Sequence, residues 1–222
     1  MLFLAVSAGF FMENIREHKV EREREEQYMK SLLSDLSTDI FNIDSIITRN
    51  LWWKRQADSL YILLTLPDYS DKTSLIYYYG RRVSLRDFFY ITEGTIKQLN
   101  NAGGLRLISN QDIVDSISRY ENKYDDLSIA QQLKELQLRD YRDAGCKVFD
   151  VRVFEKMVNG IKVIIPEGNP KLFSDKPGDL NELLMRAHFI KRNNSGIIDL
   201  LNDMKREAIN LQKLIKEKYR LE

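Results

Sequence analysis

Cysteine is almost absent from this chain: Cys146 is the only one among 222 residues. One thiol cannot form an internal disulfide, nor can it supply the several cysteine ligands of a structural zinc site. A lone thiol is compatible with oxidising and reducing compartments alike, so cysteine usage leaves the compartment open. Burial among apolar side chains is the usual fate of such a residue, and we expect Cys146 to be buried and inert.

Proline, glycine and histidine are also scarce, with 4, 10 and 2 copies. The shortage of helix-breaking residues favours long uninterrupted helices over a turn-rich sheet protein. Only His18 and His188 could act as a histidine base or metal ligand, and neither has a suitably spaced partner. We therefore predict a protein that is not an enzyme, with no catalytic residue, no metal site and no cofactor.

Neither sign of charge is in excess. The chain carries 34 Lys and Arg against 33 Asp and Glu, which gives a net charge of +1. Nucleic-acid binding depends on many contacts of basic side chains with phosphates, so it normally requires a basic excess or a basic stripe. We therefore expect no nucleic-acid partner.

The longest stretch without proline or glycine runs from Phe10 to Leu66, and it predicts one very long helix or two joined with a slight bend. Apolar residues recur there at steps of three or four, the spacing of one helical face, and we predict that this stripe is core. Its members are Tyr28, Leu32, Leu36, Ile40, Ile43, Ile47 and Leu51. Trp52 and Trp53 are adjacent, so at least one should cover a neighbouring helix.

Later segments predict further amphipathic helices. One begins after an N-cap at Ser109 or Asn110, and another covers 179–219, where the sequence NNSG at 193–196 should kink or split it. A β-branched run predicts a short extended segment near 161–165. The predicted fold class is all-α: an antiparallel bundle of four to five long helices with a protruding N-terminal helix.

The amino-terminal residues 1–12 are apolar and are followed by a charged stretch at 13–27. The apolar side chains would lie all round a helix, which suits lipid better than one face of a core. At helical rise they span only about 18 Å, against about 30 Å for a bilayer core. We interpret 1–12 as a partial membrane anchor, the carboxyl-terminal half of a transmembrane helix, 13–27 as a helical stalk, and 28–222 as the helical bundle domain.

The residues flanking the apolar segment bear on its placement. A secretory signal requires a basic region before the apolar run, and Met1-Leu2 does not provide one. Several basic residues of the stalk, Arg16 and Lys19 among them, favour the cytoplasmic side of the membrane.

Asp35 and Asp39 lie four residues apart, and on one helical face this spacing could hold a metal ion. A bundle site with two metal ions would also need Glu-x-x-His pairs, which the chain lacks. We therefore favour a solvated acidic edge beside the apolar stripe.

The sequence YYYGRR places aromatic rings beside two cations. Tyr78, Arg81 and Arg82 could bind an anion or an aromatic ligand, whereas the simpler interpretation is the interfacial edge of a helix. The sequence NNAGGLRL follows neither common phosphate-loop pattern. Its Gly103 and Gly104 are expected to end a helix and form a tight turn.

Two stretches resemble a bacterial family of membrane-anchored helical proteins of uncharacterised function. The first is MENIREHKVEREREEQYMKSLLSDLSTDI, with the pattern residues Tyr28, Met29, Leu32, Asp35, Leu36 and Asp39. The second is TIKQLNNAGGLRLISNQDIVDSISRYEN, with Gly104, Leu105, Leu107, Ile108, Asn110 and Tyr120. The resemblance covers about the first 125 residues. It implies attachment to the bacterial inner membrane, and it implies no activity, ligand or catalytic residue.

These observations support one main hypothesis and one alternative. The main hypothesis is a non-enzymatic, membrane-anchored interaction or scaffold protein, which contacts the membrane through its N-terminal segment and has an unidentified protein partner. Assembly into a homo-oligomer is left open. The alternative is a sensor that binds a small ligand between helices, near Tyr77–Arg82 and the Gly103 turn.

Overall fold

The computed structural model describes residues 2–101, 103–160 and 162–221. Almost all of its regular structure is helical, which confirms the predicted all-α helical bundle. The described residues form the α-helices α1 (Leu2–Leu64), α2 (Thr73–Val83), α3 (Gly94–Asn101), α4 (Gln111–Val148), α5 (Val151–Lys156) and α6 (Pro177–Tyr219). A 3-10 helix, Gly104–Leu107, lies between α3 and α4.

Three of these helices are long, fewer than the four or five predicted: α1 has 63 residues, α4 has 38 and α6 has 43. The segment without helix breakers forms one continuous helix, as one of the two interpretations expected. The NNSG sequence at 193–196 does not split α6. Asn193 there donates to the carbonyl of Ala130 and to Gln137 on α4, at 3.1 Å each, so its side chain stabilises the helix pair.

The helix that begins near residue 111 has the predicted cap. Asn110 accepts a hydrogen bond from the backbone N–H of Ile113 at 3.2 Å. The predicted extended segment is a two-stranded hairpin, β1 (Val158–Asn159) paired antiparallel with β2 (Lys162–Val163). It begins earlier than 161–165, and Ile161 lies outside the described residues. Gly160 supplies the positive φ, 59°, that the turn requires.

The buried residues of α1 recur at alternating steps of three and four, the 3.5-residue repeat of coiled coils. The members of this repeat are Glu25, Met29, Leu32, Leu36, Asp39, Ile43, Ile46, Asn50, Trp53, Ala57, Leu60 and Leu64, and the buried Gln56 beside Ala57 is the one exception among the described residues of α1. Of the predicted stripe, Leu32, Leu36 and Ile43 belong to this set, whereas Tyr28, Ile40 and Ile47 are only partly buried. Leu51 was predicted to be core but is 43% exposed. Trp53 is buried and Trp52 only partly so, as their adjacency predicted.

The described residues divide into two compact units. Unit 1 comprises the residues up to Ile43, Tyr90–Tyr124 and the residues from Asp203 on, and unit 2 comprises Asp44–Phe89 and Asp125–Asn202. In unit 2, α4 and α6 run in opposite directions. Their contacts pair Asp140 with Arg186 and Lys147 with Glu182.

In unit 1, α1 and α6 are also antiparallel. Glu25 accepts from the hydroxyl of Tyr219 at 2.5 Å, and the side chain of Ser37 accepts from Gln212 at 2.8 Å. By contrast, α1 and α4 run in the same direction there. Glu25 is hydrogen-bonded to Ser109, just before α4 begins. Asp39 is hydrogen-bonded to Tyr120, and both of these residues lie further along their helices. The predicted antiparallel arrangement therefore holds for α6 and not for α1 with α4.

The predicted anchor and stalk form the first part of α1. Met1 and the side chains of residues 2–6 and 8 lie outside the described part of the chain. Phe10 and Phe11 are 75% and 67% exposed, and exposure continues through residue 24, whereas Glu25 within the predicted stalk is buried. Among the described residues, no helix combines the length and the apolar character needed to cross a membrane.

Candidate functional site

The short helix α2, which carries the predicted ligand residues, is anchored to unit 2 by Tyr77. This side chain is fully buried, and its hydroxyl donates to the carbonyl of Lys171 and accepts from the backbone N–H of Asp150, at 3.0 Å each. Its ring contacts those of Phe149 and Phe154, with centroids 5.3 and 5.8 Å away. Adjacent residues of an α-helix point about 100° apart, so residues 81 and 82 project in different directions, and the buried Tyr77 fixes the rotation of α2 relative to the rest of unit 2.

The predicted trio Tyr78, Arg81 and Arg82 does not form a single site. The guanidinium of Arg82 lies 4.2 Å from the ring centroid of Tyr78 and 4.5 Å from that of Trp52. It is therefore sandwiched between aromatic faces of unit 2, an arrangement that stabilises a cation within the protein. Arg81 instead lies beside a cavity lined by α4 and α5.

This cavity of about 450 Å³ is the main candidate site in unit 2. Four aromatic rings line it, those of Tyr141, Phe149, Phe154 and Phe173. Its volume lies within the range of small-molecule sites, which are typically apolar clefts with a few polar groups at fixed positions. The sequence predicted a ligand site at α2, but it did not predict that these rings line it. They come from segments that lie at least 58 positions beyond the end of α2 at residue 83.

Gly80 on α2 makes the aromatic wall possible. A Cβ atom at this position would lie 2.2 Å from the Cζ atom of Phe149, so the ring packs directly on the helix backbone. The fully buried Tyr141 donates from its hydroxyl to the carbonyl of Gly80 at 2.9 Å. Burial raises the pKa of Tyr141, so the hydroxyl keeps its proton at neutral pH.

Substitution Gly80→Ala should therefore distort the cavity. We expect it to lower the free energy of unfolding by about 1–3 kcal/mol, because the added methyl group overlaps Phe149 and outweighs the gain in helix propensity. Gly145→Ala is the matched control, since a Cβ atom there lies an ordinary 3.6 Å from the same ring. Urea denaturation of both variants checks this, and equal effects would contradict the observed packing.

Polar groups at the margin of the cavity differ in how far they are already engaged. Arg81 is half-buried, its guanidinium lies 5.3 Å from the ring centroid of Phe154, and its Nε atom is buried without a hydrogen-bond partner among the described residues. Cys146 also lines the cavity, and it is exposed. The prediction of a buried thiol is thus wrong, because Cys146 faces away from the apolar stripe of α4.

The Gly103 turn belongs to unit 1, whereas Tyr77–Arg82 belongs to unit 2, so the two parts of the predicted sensor site are not one site within either unit. Gly103 has the left-handed conformation, with φ 64°, and follows α3, as the turn prediction expected. A Cβ atom on Gly104 would lie 3.0 Å from Cα of Leu99. Both glycines are therefore explained by backbone geometry.

Asp39 is not part of a solvated acidic edge. It is 1% exposed and accepts from the hydroxyl of Tyr120 at 2.6 Å and from the backbone N–H and hydroxyl of Thr92 at 2.8 and 2.7 Å. Asp35 accepts from the backbone N–H of Thr95 at 3.1 Å. These carboxylates satisfy donors around the start of α3, and the described residues contain no cluster suited to a metal ion.

The contact of Asp39 with Tyr120 joins the two stretches that carry the family resemblance. Burial raises the pKa of Asp39, although its three donors oppose this change. Burial and the neighbouring carboxylate raise the pKa of Tyr120 as well. The pair is a fixed structural contact of unit 1.

A buried lysine interrupts the core of unit 2. Lys134 on α4 is 1% exposed, and its Nζ atom donates to Oδ1 of Asn50 at 2.9 Å and lies 4.4 Å from the ring centroid of Trp53. None of the described acidic residues forms an ion pair with it. Burial lowers the pKa of Lys134 to about 7. No sequence pattern predicts this burial, since a lysine on a mainly polar helix is normally exposed.

No family model matches this chain, and no match was found among curated proteins or solved structures. The resemblance to membrane-anchored helical proteins therefore stays a prediction. The fold and the candidate site define a class only: an all-α bundle with an aromatic-lined cavity in unit 2.

Proposed function

We propose that the chain is a non-enzymatic helical bundle that binds a small apolar ligand, acting as a sensor. The cavity of about 450 Å³ beside α2 is the observation that carries this proposal. Its aromatic walls offer a large apolar contact area, and Gly80 and Tyr141 hold those walls in place. Of the two hypotheses from the sequence, this geometry favours the sensor.

The chemistry around the cavity supports binding rather than catalysis. Neither His18 nor His188 lines it. The carboxylate of Asp150 is engaged by Arg152 and caps α5. A general acid or base must be a free titratable group within hydrogen-bond reach of the reacting atom, and neither the two histidines nor Asp150 meets this requirement at the cavity.

Thermal unfolding in the presence of a panel of apolar metabolites tests the proposal. A ligand at 100 times its dissociation constant adds about 2.7 kcal/mol to the free energy of unfolding. For a chain of this size, that corresponds to a rise in Tm of about 5–10 °C. We expect such shifts to be confined to one chemical class of compound.

Substitution at the cavity wall shows whether a compound raises Tm by binding in the cavity or by binding elsewhere on the protein. Cys146→Trp places a large side chain at the exposed margin of the cavity and should abolish the shift, whereas Cys146→Ser should keep it. If no compound in the panel stabilises the chain, or if Cys146→Trp leaves the shifts unchanged, the ligand-binding proposal is wrong.

A second candidate function, a membrane-tethered interaction module, is favoured by the amino-terminal part of α1. Phe10, Phe11 and Met12 are 75%, 67% and 64% exposed, and the same helix continues without interruption to Leu64. We propose that this apolar segment rests in a bacterial inner membrane, with the bundle on the cytoplasmic side. The two candidates are compatible, since a tethered bundle can bind a ligand.

Flotation with lipid vesicles tests the tether. Removing two phenyl rings from lipid costs about 3–6 kcal/mol, so Phe10→Ser with Phe11→Ser should weaken partitioning at least about 100-fold. Phe41→Ser is the control, because Phe41 is 73% exposed but lies well beyond the apolar segment. A native chain that stays with the soluble fraction would rule out the tether.

A further inference from the structure

We infer that the ligand of the unit 2 cavity is an apolar monoanion, with an acid group that pairs with Arg81 and a hydrocarbon or aromatic body that fills the space between the rings. This inference rests on the proposed ligand-binding function and adds the charge of the ligand to it. It follows from the hydrogen bonds and charges around the cavity.

Three charged side chains line the cavity: Arg81, Arg142 and Asp150. Asp150 already binds Arg152, whose Nε atom lies 3.1 Å from both carboxylate oxygens. Arg142 donates to the carbonyl of Ser84 at 3.0 Å, and its other terminal nitrogen lies 3.6 Å from Glu135. Among the described residues, Arg81 is thus the cavity cation without an ion-pair or hydrogen-bond partner.

Arg81 is also oriented for an incoming acceptor. The stacking of its guanidinium on Phe154, at 5.3 Å from the centroid, restricts the side chain to the cavity margin. Its Nε atom is buried and unpaired, which is costly unless an acceptor completes the hydrogen bond. A carboxylate or phosphate oxygen satisfies this donor, and the planar guanidinium can bind such a group through two parallel hydrogen bonds.

The hydroxyl donors of the wall are already used. The hydroxyl of Tyr141 donates to the carbonyl of Gly80, and the hydroxyl of Ser84 donates to the carbonyl of Arg81. A ligand with several hydroxyl or amide groups would therefore have acceptor atoms of its own left without a hydrogen bond, which disfavours sugars and peptides. One anionic head on an apolar body matches the aromatic walls and Arg81, the cavity cation whose side chain has no ion-pair or hydrogen-bond partner among the residues the structure describes.

The experiment uses the native thiol as a reporter. Cys146 is the only cysteine and lines the cavity, so a bound ligand should slow its alkylation. We would titrate straight-chain carboxylic acids of graded length against the primary alcohols and amines of equal length. The charge-assisted hydrogen bonds predict that an acid binds roughly 10- to 100-fold more tightly than its alcohol, and the amine most weakly.

Two neighbouring arginines provide matched variants. Arg81→Gln should reduce the preference for acid over alcohol to less than about threefold, whereas Arg82→Gln should keep it, because Arg82 stacks on Trp52 and Tyr78 outside the cavity. Arg81→Lys retains the charge without the planar fork and should keep part of the preference. Tm values measured without ligand show whether each variant is folded.

The possible outcomes separate the two proposals. If acids and alcohols protect Cys146 equally in the native chain, the cavity binds ligand but the inference about charge is overturned. If the acid preference survives in Arg81→Gln, or is lost in Arg82→Gln alone, Arg81 is not the recognising cation. If no compound of any charge protects the thiol or raises Tm, the ligand-binding function itself fails.

Discussion

Replacing Lys134 with methionine is expected to stabilise the protein at pH 6, raising the free energy of unfolding by about 1–3 kcal/mol. Lys134 is 1% exposed in unit 2 and has one hydrogen-bond partner, Asn50, and one aromatic neighbour, Trp53. Methionine has a similar length and carries no charge to desolvate. The gain is partial because Oδ1 of Asn50 loses its donor.

The dependence of this effect on pH distinguishes it from a packing effect. Burial lowers the pKa of Lys134 from 10.5 in the unfolded chain to about 7 in the folded state. Below pH 7 the lysine is charged in both states and the cost of burying the charge is fully present. Between the two pKa values the unfolded state binds one more proton, so the free energy of unfolding rises with pH, by up to about 1.4 kcal/mol per unit.

The native chain should therefore gain about 2 kcal/mol of stability from this residue between pH 7 and pH 9, and Lys134→Met should lack that gain. Urea denaturation at several pH values measures both slopes. Lys156→Met, at an exposed position, is the control and should keep the native slope. If the free energy of unfolding depends on pH with the same slope in Lys134→Met and in the native chain, folding does not lower the pKa of Lys134 and the prediction is wrong.

Replacing Leu36 with alanine is expected to lower the free energy of unfolding by about 2–5 kcal/mol. Leu36 is 0% exposed and lies in the 3.5-residue repeat of α1 within unit 1. Truncation removes three buried carbon atoms and leaves a cavity that the rigid helix can only partly close. Chemical denaturation measures the loss.

Two substitutions on the same helix serve as controls. Leu51→Ala removes the same atoms at a position that is 43% exposed, so its cost should be clearly smaller than that of Leu36→Ala. Glu23→Ala changes a side chain that is 67% exposed and should cost almost nothing. Equal losses for Leu36→Ala and Leu51→Ala would favour the stripe predicted from the sequence over the repeat observed in the structure.

The sequence determined the helical class and most of the helix positions. Too few prolines and glycines are present to interrupt long segments, and local caps such as Asn110 mark helix ends through contacts only three residues apart. It also identified Leu32, Leu36 and Ile43 as part of the core face of α1. Local chemistry was sufficient for these features because backbone hydrogen bonds within a helix connect residues that are four apart.

The sequence did not determine how the core face continues. Steps of four residues advance slightly more than one helical turn, so the predicted stripe rotated away from the core at Leu51. The observed repeat continues through Asn50, which is buried. A search for apolar residues at helical spacing omits this position because asparagine is polar. Asn50 and Lys134 are 84 residues apart, and their contact across two helices pairs Oδ1 of Asn50 with the buried ammonium group of Lys134.

Only the tertiary structure decided where the candidate site lies and which of two adjacent arginines lines it. Arg81 and Arg82 are adjacent and chemically equivalent in the sequence, but packing of Tyr77 turns Arg81 toward the cavity and Arg82 toward Trp52. The cavity itself comes from rings such as Phe149, which pack on Gly80 from a distant part of the chain. A cavity is the space that packed elements leave between them, so no local pattern records it.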